Sequence, residues 1–174
     1  MLTWWRARSR AGRTATDLYG SIVAAARREP LYTRLGVPDT PDGRFAMVIV
    51  HMYLVLERLG PEGQAGQELS RALIETFVTD MDDCMREMGV GDLTVPKKVK
   101  KAAGALFDCK EAFRAAEIAG SEGDLAEAIH RNLLPSEPAA VADGIAAFMR
   151  RTAAELTEVP AGSLLRGEVV FRPI

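Results

Sequence analysis

The sequence has few of the side chains on which most enzyme centres are built. Its 174 residues include two cysteines and two histidines. It contains no Walker loop, dinucleotide-binding glycine pattern, G-x-S-x-G elbow or H-E-x-x-H motif. Nucleophilic and metal-assisted catalysis therefore have little material to use. We expect a protein that is not an enzyme, with no catalytic residue, no metal ligand and no cofactor.

The cysteines and histidines that are present fit structural roles. Cys84 and Cys109 lie within helical apolar patterns, which favours free thiols in a reducing compartment. His51 has no second histidine, cysteine or carboxylate at metal-ligand spacing, so we expect a hydrogen-bonded interior side chain. His130 falls in the last turn of a predicted helix, where a cation is favoured.

Long apolar runs and a strong net charge are also missing. No stretch of about 18 uncharged apolar residues occurs, which argues against a membrane-spanning helix, and the first residues do not have the pattern of a secretory signal. The formal net charge of -2 gives no general attraction to nucleic acid, so no specific DNA binding is expected. We expect a cytoplasmic protein that can contact the inner face of the cytoplasmic membrane peripherally.

Helical apolar spacing accounts for most of the chain and predicts a single-domain, all-α bundle of about six helices with irregular termini. The expected divisions are a basic segment over 1–13, a helical domain over 14–158 and an extended tail over 159–174. The first helix should begin at Thr14 or Thr16 and end near Arg28, before Pro30, and Asp42 should cap the second. The other helices should cover about 43–59, 65–88, 95–118, a short stretch to about 133, and 139–156.

Two segments leave alternatives open at this point. The helix over 43–59 is apolar nearly all round, because Met47, Val50 and Leu54 lie opposite the stripe that contains Phe45 and Ile49. It is either buried on two sides or keeps one face for a partner. The β-prone run over 168–172 has no strand to pair with in a helical chain, so it either packs in extended form or pairs in a dimer.

The most informative stretch is residues 85–101, here called the corner, which should end one long helix and begin the next. Gly89 is placed for a left-handed C′ position, with Gly91 beyond it in the connection. Thr94 can cap the following helix, and Pro96 falls where a missing N–H costs least. The predicted buried positions on the helix before the corner are Leu69, Leu73, Ile74, Phe77, Met81, Cys84 and Met88, and those on the helix after it are Val99, Ala102, Leu106, Cys109 and Phe113.

Charged residues of opposite sign lie on the two sides of the corner. Asp80, Asp83 and Glu87 recur on one flank of the first helix and form an acidic edge, which we interpret as solvated or partner-facing rather than as a metal site. Four lysines in five residues form a lysine face on the second helix, which is either simply solvated or binds a polyanion or acidic partner, ribosomal RNA included. The candidate partner-binding set is Asp80, Asp83, Arg86, Glu87, Gly89, Gly91, Asp92, Lys97, Lys98, Lys100 and Lys101.

Both tryptophans of the protein lie in the basic N-terminal segment. Tryptophan beside arginine suits a bilayer interface, where the ring sits at headgroup depth and the cation meets anionic lipid. The alternative is an ordinary terminus packed on the domain. The candidate membrane-surface residues are Trp4, Trp5, Arg6, Arg8 and Arg10.

The corner also resembles the signature of a known family. The run FVTDMDDCMREMGVGDL over 77–93, followed by VPKKVK over 95–100, is similar to the ubiquinol–cytochrome c chaperone family. The segments MYLVLERL over 52–59 and GQELSRAL over 66–73 resemble it too. The resemblance covers roughly residues 30–135.

The resemblance implies an all-helical, non-catalytic chaperone that binds newly made cytochrome b during assembly of the bc1 complex. Mitochondrial members act with a small helical partner near the ribosome exit and the inner membrane. A bacterial member would replace that partner by self-association or work without it. Two other functions stay open from the residues alone: a membrane-surface scaffold or adaptor, and a small-molecule enzyme that uses the acidic edge.

Overall fold

The computed structural model describes the backbone of residues 2–121 and 123–173, and the side chains from residue 11 onward within those ranges. The described residues form an all-α domain without a β-strand, as the sequence predicts. The α-helices are α1 Leu2–Ala26, α2 Glu29–Thr33, α3 Pro41–Leu59, α4 Gly63–Glu87, α5 Val95–Ala119, α6 Asp124–Leu133, α7 Ala139–Thr157 and α8 Ala161–Leu164, with a 3₁₀ turn over Gly60–Glu62. Six of these helices have ten or more residues.

Helix α3 occupies the centre of the bundle. It packs against α1, α4, α5, α6 and α7. Ile49 and Met52 are buried on one side, and Met47, Val50 and Leu54 are buried on the other. Of the two alternatives for this all-round apolar helix, burial on two sides is therefore correct, and no face of it is left for a partner.

The start of α3 differs from the prediction. Thr40, not Asp42, is the N-cap, because its side-chain oxygen accepts a hydrogen bond from the Gly43 amide at 3.2 Å. Pro41 then occupies the first turn, where its missing N–H is tolerated. A Cβ atom at Gly43 would lie 1.9 Å from the Pro38 carbonyl oxygen, so only glycine lets the preceding loop pack this closely.

The first helix is longer at its start and shorter at its end than the sequence indicates. Helix α1 begins at Leu2 rather than at Thr14 or Thr16, and it ends at Ala26. Alanine, arginine and leucine, which favour helix, make up most of residues 2–13, so nothing there stops helix propagation. Pro30 does not terminate α1 but sits in the first turn of the short helix α2.

The C-terminal tail starts with the short helix α8, and from residue 168 it packs along the domain in extended form. Val169 and Phe171 are buried, and the Arg28 guanidinium donates hydrogen bonds to the carbonyl oxygens of Phe171 at 2.8 Å and Arg172 at 2.9 Å. This part of the tail therefore belongs to the core of the monomer. Of the two alternatives for residues 168–172, packing in extended form is correct and pairing in a dimer is not needed to bury it.

His51 is the interior histidine that the sequence predicts. It is 1% exposed, and its Nδ1–H donates to the Met47 carbonyl oxygen at 2.8 Å. The rings of Phe148 and Phe171 lie 5.4 and 5.1 Å away. Burial lowers the pKa of His51 to about 4, so the side chain is neutral at physiological pH.

The two thiols are free, as expected. Cys84 is half-buried and Cys109 is buried, and burial raises the pKa of both, that of Cys109 to about 12. A thiol with a raised pKa is a poor nucleophile at neutral pH, which fits two structural side chains.

Candidate partner-binding surface

The end of α4 is a Schellman motif centred on Gly89. The Gly89 amide donates to the Arg86 carbonyl at 2.9 Å, and the Val90 amide donates to the Met85 carbonyl at 3.0 Å. Gly89 has φ +76°, in the left-handed region that favours glycine. The predicted helix stop is confirmed, and its hydrogen bonds fix the direction in which the chain leaves α4.

The start of α5 is as predicted in position but not in its cap. Helix α5 begins at Val95 with Pro96 in its first turn, yet the Thr94 side chain makes no capping hydrogen bond. Thr94 has helical backbone angles, φ −97° and ψ −29°, so it continues a turn instead of capping one. The Gly91 carbonyl accepts from the amides of Thr94 at 2.7 Å and Val95 at 3.2 Å, and this turn orients α5.

Arg86 ties the corner to the body of α4. Its guanidinium pairs with Asp82 one turn earlier on the same helix and, at 2.6 Å, with Asp92 in the connection. Arg86 and Asp92, both in the candidate set, are therefore in direct contact, and the connection is held to the helix it leaves.

The acidic edge is only partly available to a partner. The Tyr19 hydroxyl donates to Asp80 at 2.7 Å, and its ring packs edge-to-face on Phe77 with centroids 6.4 Å apart. Burial, and then the bond to Asp80, raises the pKa of Tyr19 above its ordinary value. Asp80 thus fastens α1 to α4, while Asp83 and Glu87 remain exposed.

The lysine face is exposed and lies apart from the acidic edge. None of Lys97, Lys98, Lys100 and Lys101 forms an ion pair with a carboxylate in the described part of the chain. The Tyr19 bond places the acidic edge on the flank of α4 that faces α1, whereas the lysines belong to α5, which packs on α3, α4 and α6. The corner therefore connects the two charged surfaces along the chain, and no ion pair joins them among the described residues.

Two apolar side chains at the corner point into solvent. Leu93 is 99% exposed and Met88 is 67% exposed. The expectation that Met88 is buried is wrong, because Met88 is the C-cap of α4 and the chain turns away there before α5 can cover it. Leu93 was not predicted to be part of this surface. A large apolar residue between Asp92 and Thr94, in a turn without helical spacing, would have indicated an exposed apolar position.

The other buried positions near the corner follow the sequence more closely. Leu69, Leu73 and Phe77 on α4 are buried, as are Ala102, Leu106, Cys109 and Phe113 on α5. Ile74, Met81, Cys84 and Val99 are half-buried. The faces of both helices are therefore assigned correctly, and the error is confined to the end of α4.

Neither of two shallow cavities belongs to this surface. One, of about 340 Å³, is lined by Glu117, Ser121 and Arg150, and the other, of about 490 Å³, by Arg27, Tyr32 and Arg44 among others. No group of three histidine, cysteine or acidic side chains in the described ranges could hold a metal ion. Among those same residues, no helix is long and apolar enough to cross a membrane.

The sequence matches the family model described as Ubiquinol-cytochrome C chaperone over residues 33–171. The chain belongs to this family. The match includes α3 to α8, the acidic edge, the corner and the lysine face. It does not include residues 1–32, so Trp4, Trp5, Arg6, Arg8 and Arg10 lie outside it. The side chains of these five residues also lie outside the described part of the structure.

Individual relatives of this chaperone family member agree with the family match. It is 25% identical over 168 residues to the Ubiquinol-cytochrome-c reductase complex assembly factor 1 of Xenopus laevis, covering 92% of the chain and 81% of that protein. The mouse protein of the same name is 27% identical over 85 residues, which is 49% of the chain and 29% of the mouse protein. A crystal structure of the Cbp3 homolog from Brucella abortus superposes with a TM-score of 0.83 at 33% identity, covering 99% of this chain and 96% of that one.

Proposed function

We propose that this chain is an assembly chaperone for the ubiquinol–cytochrome c reductase complex that binds newly made cytochrome b and carries out no reaction of its own. The family match over residues 33–171 supports this most strongly. The names of the Xenopus and mouse relatives describe assembly factors of the same complex.

The exposed chemistry of the corner suits such a client. An unassembled membrane subunit presents polar loops together with apolar helix ends, and the corner offers both kinds of contact. Met88 and Leu93 supply exposed apolar area, and methionine adapts its shape to different partners. We propose that the client contacts use this region, with the candidate set Asp80, Asp83, Arg86, Glu87, Gly89, Gly91, Asp92, Lys97, Lys98, Lys100 and Lys101.

The acidic edge is better suited to binding than to catalysis. An enzyme would need a cleft in which carboxylates converge, and neither cavity is lined by Asp80, Asp83 or Glu87. Asp80 is engaged by Tyr19, which leaves two exposed carboxylates one helical turn apart. Two exposed carboxylates outside a cleft suit contact with a basic partner segment better than catalysis.

We also propose that the protein works at the inner face of the cytoplasmic membrane, because its client is inserted there. A small helical partner, self-association and the ribosome exit region are further contacts that the family resemblance suggests. A membrane-surface scaffold without a client of its own is the second candidate, favoured by the same exposed apolar and basic residues.

Affinity capture from native cells tests the proposed function. Cytochrome b should be enriched with the wild-type chain, because the chaperone holds it before assembly. A variant with Lys97, Lys98, Lys100 and Lys101 changed to glutamate should capture less while keeping its fold, since exposed substitutions usually shift stability by about 0.5 kcal/mol. The chaperone assignment fails if cytochrome b is not enriched with the wild type.

A second variant with an equal change in net charge serves as the control. It reverses four exposed arginines on other helices, Arg13, Arg71, Arg131 and Arg151, and it should capture cytochrome b normally. Equal loss in both variants would indicate a general charge effect. Equal retention in both would remove the lysine face from client binding.

A further inference from the structure

We propose that the tip of the corner, formed by Met88 and Leu93 and flanked by the lysine face, docks reversibly onto an anionic lipid surface. The proposal deepens the proposed function by adding a lipid contact to the client contacts proposed for the same surface. It rests on that function for its biological setting alone, because lipid binding can be measured without a client.

The apolar part of the tip is held out by ordered backbone. Leu93 is fully exposed although the chain on either side of it is fixed by the Schellman motif at Gly89 and by the turn that Gly91 closes. Arg86 further ties the connection to α4 through Asp92. A leucine fixed in this position loses little conformational freedom when it enters the boundary between headgroups and acyl chains, which favours insertion.

The lysine face supplies the matching charge. Four lysines are exposed within the first two turns of α5, directly after Leu93, and none has an ion pair to give up among the described residues. Each lysine near an anionic membrane strengthens binding by about fivefold. Four together strengthen it by several hundredfold at low ionic strength, and salt screens the attraction.

The acidic side chains near the tip do not cancel this charge. Asp82 and Asp92 are paired with Arg86. Asp83 and Glu87 belong to the acidic edge, on the flank of α4 that faces α1 and away from α5. The side of the corner that carries the lysines is therefore locally positive, even though the whole chain has a net charge of -2.

A lipid surface fits these features better than a nucleic acid or an acidic peptide does. Residues 88–101 include no aromatic side chain on which a base could stack. Neither of the two cavities borders the corner, so neither offers a peptide a groove there. A projecting leucine followed by exposed lysines suits a bilayer interface, where the apolar side chain enters the headgroup boundary and the cations meet anionic lipid.

This site competes with the N-terminal segment as the point of membrane contact. Gly167 lies against Thr14, whereas Arg28 binds carbonyl groups farther along the tail. Arg58, near the end of α3, donates to the carbonyl oxygens of Leu156, just before the tail, and of Val159, its first residue. Helix α1 therefore starts nearer the end of α3, where α4 begins, whereas the corner lies at the other end of α4.

Vesicle binding by the full chain tests the proposal. We expect binding to vesicles of 70% phosphatidylcholine and 30% phosphatidylglycerol that weakens with salt, and little binding to pure phosphatidylcholine. Leu93→Ser should weaken binding about tenfold. Changing the four lysines to glutamine should weaken it several hundredfold. Ile118→Ser is the matched control, since Ile118 is 79% exposed near the far end of the same helix, and it should bind like the wild type.

Three outcomes would overturn the proposal. They are no vesicle binding by the wild type, equal binding by wild type and Leu93→Ser, or loss of binding when Trp4 and Trp5 are changed to serine while the corner is intact. Binding of the lysine face to heparin without binding to vesicles would assign it to a polyanion instead, and would overturn the lipid proposal as well.

A single tryptophan at position 93 tests whether the tip itself contacts the lipid. The chain has two tryptophans, so Leu93→Trp in a background with Trp4 and Trp5 changed to phenylalanine leaves one emitter, at the tip. Its emission should shift to the blue on adding anionic vesicles and be quenched by brominated lipid, and an unchanged spectrum with bound protein would contradict the docking mode. If the wild-type chain captures cytochrome b but binds no anionic vesicles, this inference alone is removed. If it binds anionic vesicles but captures no cytochrome b, the proposed function alone is removed.

Discussion

Replacing Gly89 with alanine isolates the backbone conformation on which the corner depends. A Cβ atom built at Gly89 meets no atom within 4 Å, so the substitution introduces no clash, and its effect comes from placing an L-residue at φ +76°. That conformation is unfavourable by about 1–2 kcal/mol for a residue with a Cβ. Alanine also lowers the conformational entropy of the unfolded chain, which raises the unfolding free energy by about 0.4–1 kcal/mol. The net loss of unfolding free energy should be about 1 kcal/mol.

Gly91 provides a control two residues away. It also has open space around its Cβ position, but its φ is not in the positive region. Gly91→Ala should therefore leave stability unchanged or raise it slightly, whereas Gly89→Ala should lower the melting temperature by about 2–4 °C in a domain of this size. Urea unfolding followed by far-ultraviolet circular dichroism measures both. Equal stability of the two variants would refute the assignment of the helix stop to the left-handed glycine.

Two further predictions concern the core. Phe77→Ala and Phe113→Ala should each lower the unfolding free energy by about 3–5 kcal/mol, because both rings are fully buried, while Phe107→Ala, at a side chain that is 52% exposed, should have a small effect in the same melting experiment. A fall in stability is expected as the pH drops from about 6.5 toward 4, since unfolded His51 binds a proton there and the folded form, with its pKa of about 4, does not. The His51 share of this fall is about 3 kcal/mol at full effect. Urea titrations of wild type and His51→Gln across this pH range should show it, and parallel curves would show that the histidine plays no part.

Local signals in the sequence were sufficient for the features that depend on neighbouring residues. The glycine after the last apolar position predicts the end of α4, and the proline after Thr94 predicts the start of α5. Helical spacing also identifies the buried faces, because it reports which side of a helix needs cover. The all-round apolar character of α3 correctly indicates a central helix, although the sequence alone left a partner face open.

The remaining features depend on contacts between distant residues or on competition between nearby ones. Tyr19 and Asp80 are 61 residues apart, so the sequence shows an acidic edge without showing that one of its members is engaged. Thr40 and Asp42 are both suitable caps, and only the packed loop at Gly43 decides between them. Met88 is exposed because α5 does not cover the end of α4. The apolar spacing along α4 does not show where α5 crosses it.

The hydrogen bonds from Arg28 to the tail have a consequence for the rate at which this domain opens. They join residues 143 and 144 positions apart, so the chain must close nearly its whole length before they form. We expect contacts of that kind to form late in folding and to be mostly absent from the transition state. Their loss should then raise the unfolding rate more than it lowers the folding rate. The hydrogen bonds from Arg28 therefore slow spontaneous unfolding of the domain. Slow unfolding limits degradation of a chaperone by cellular proteases, even where its equilibrium stability is ordinary.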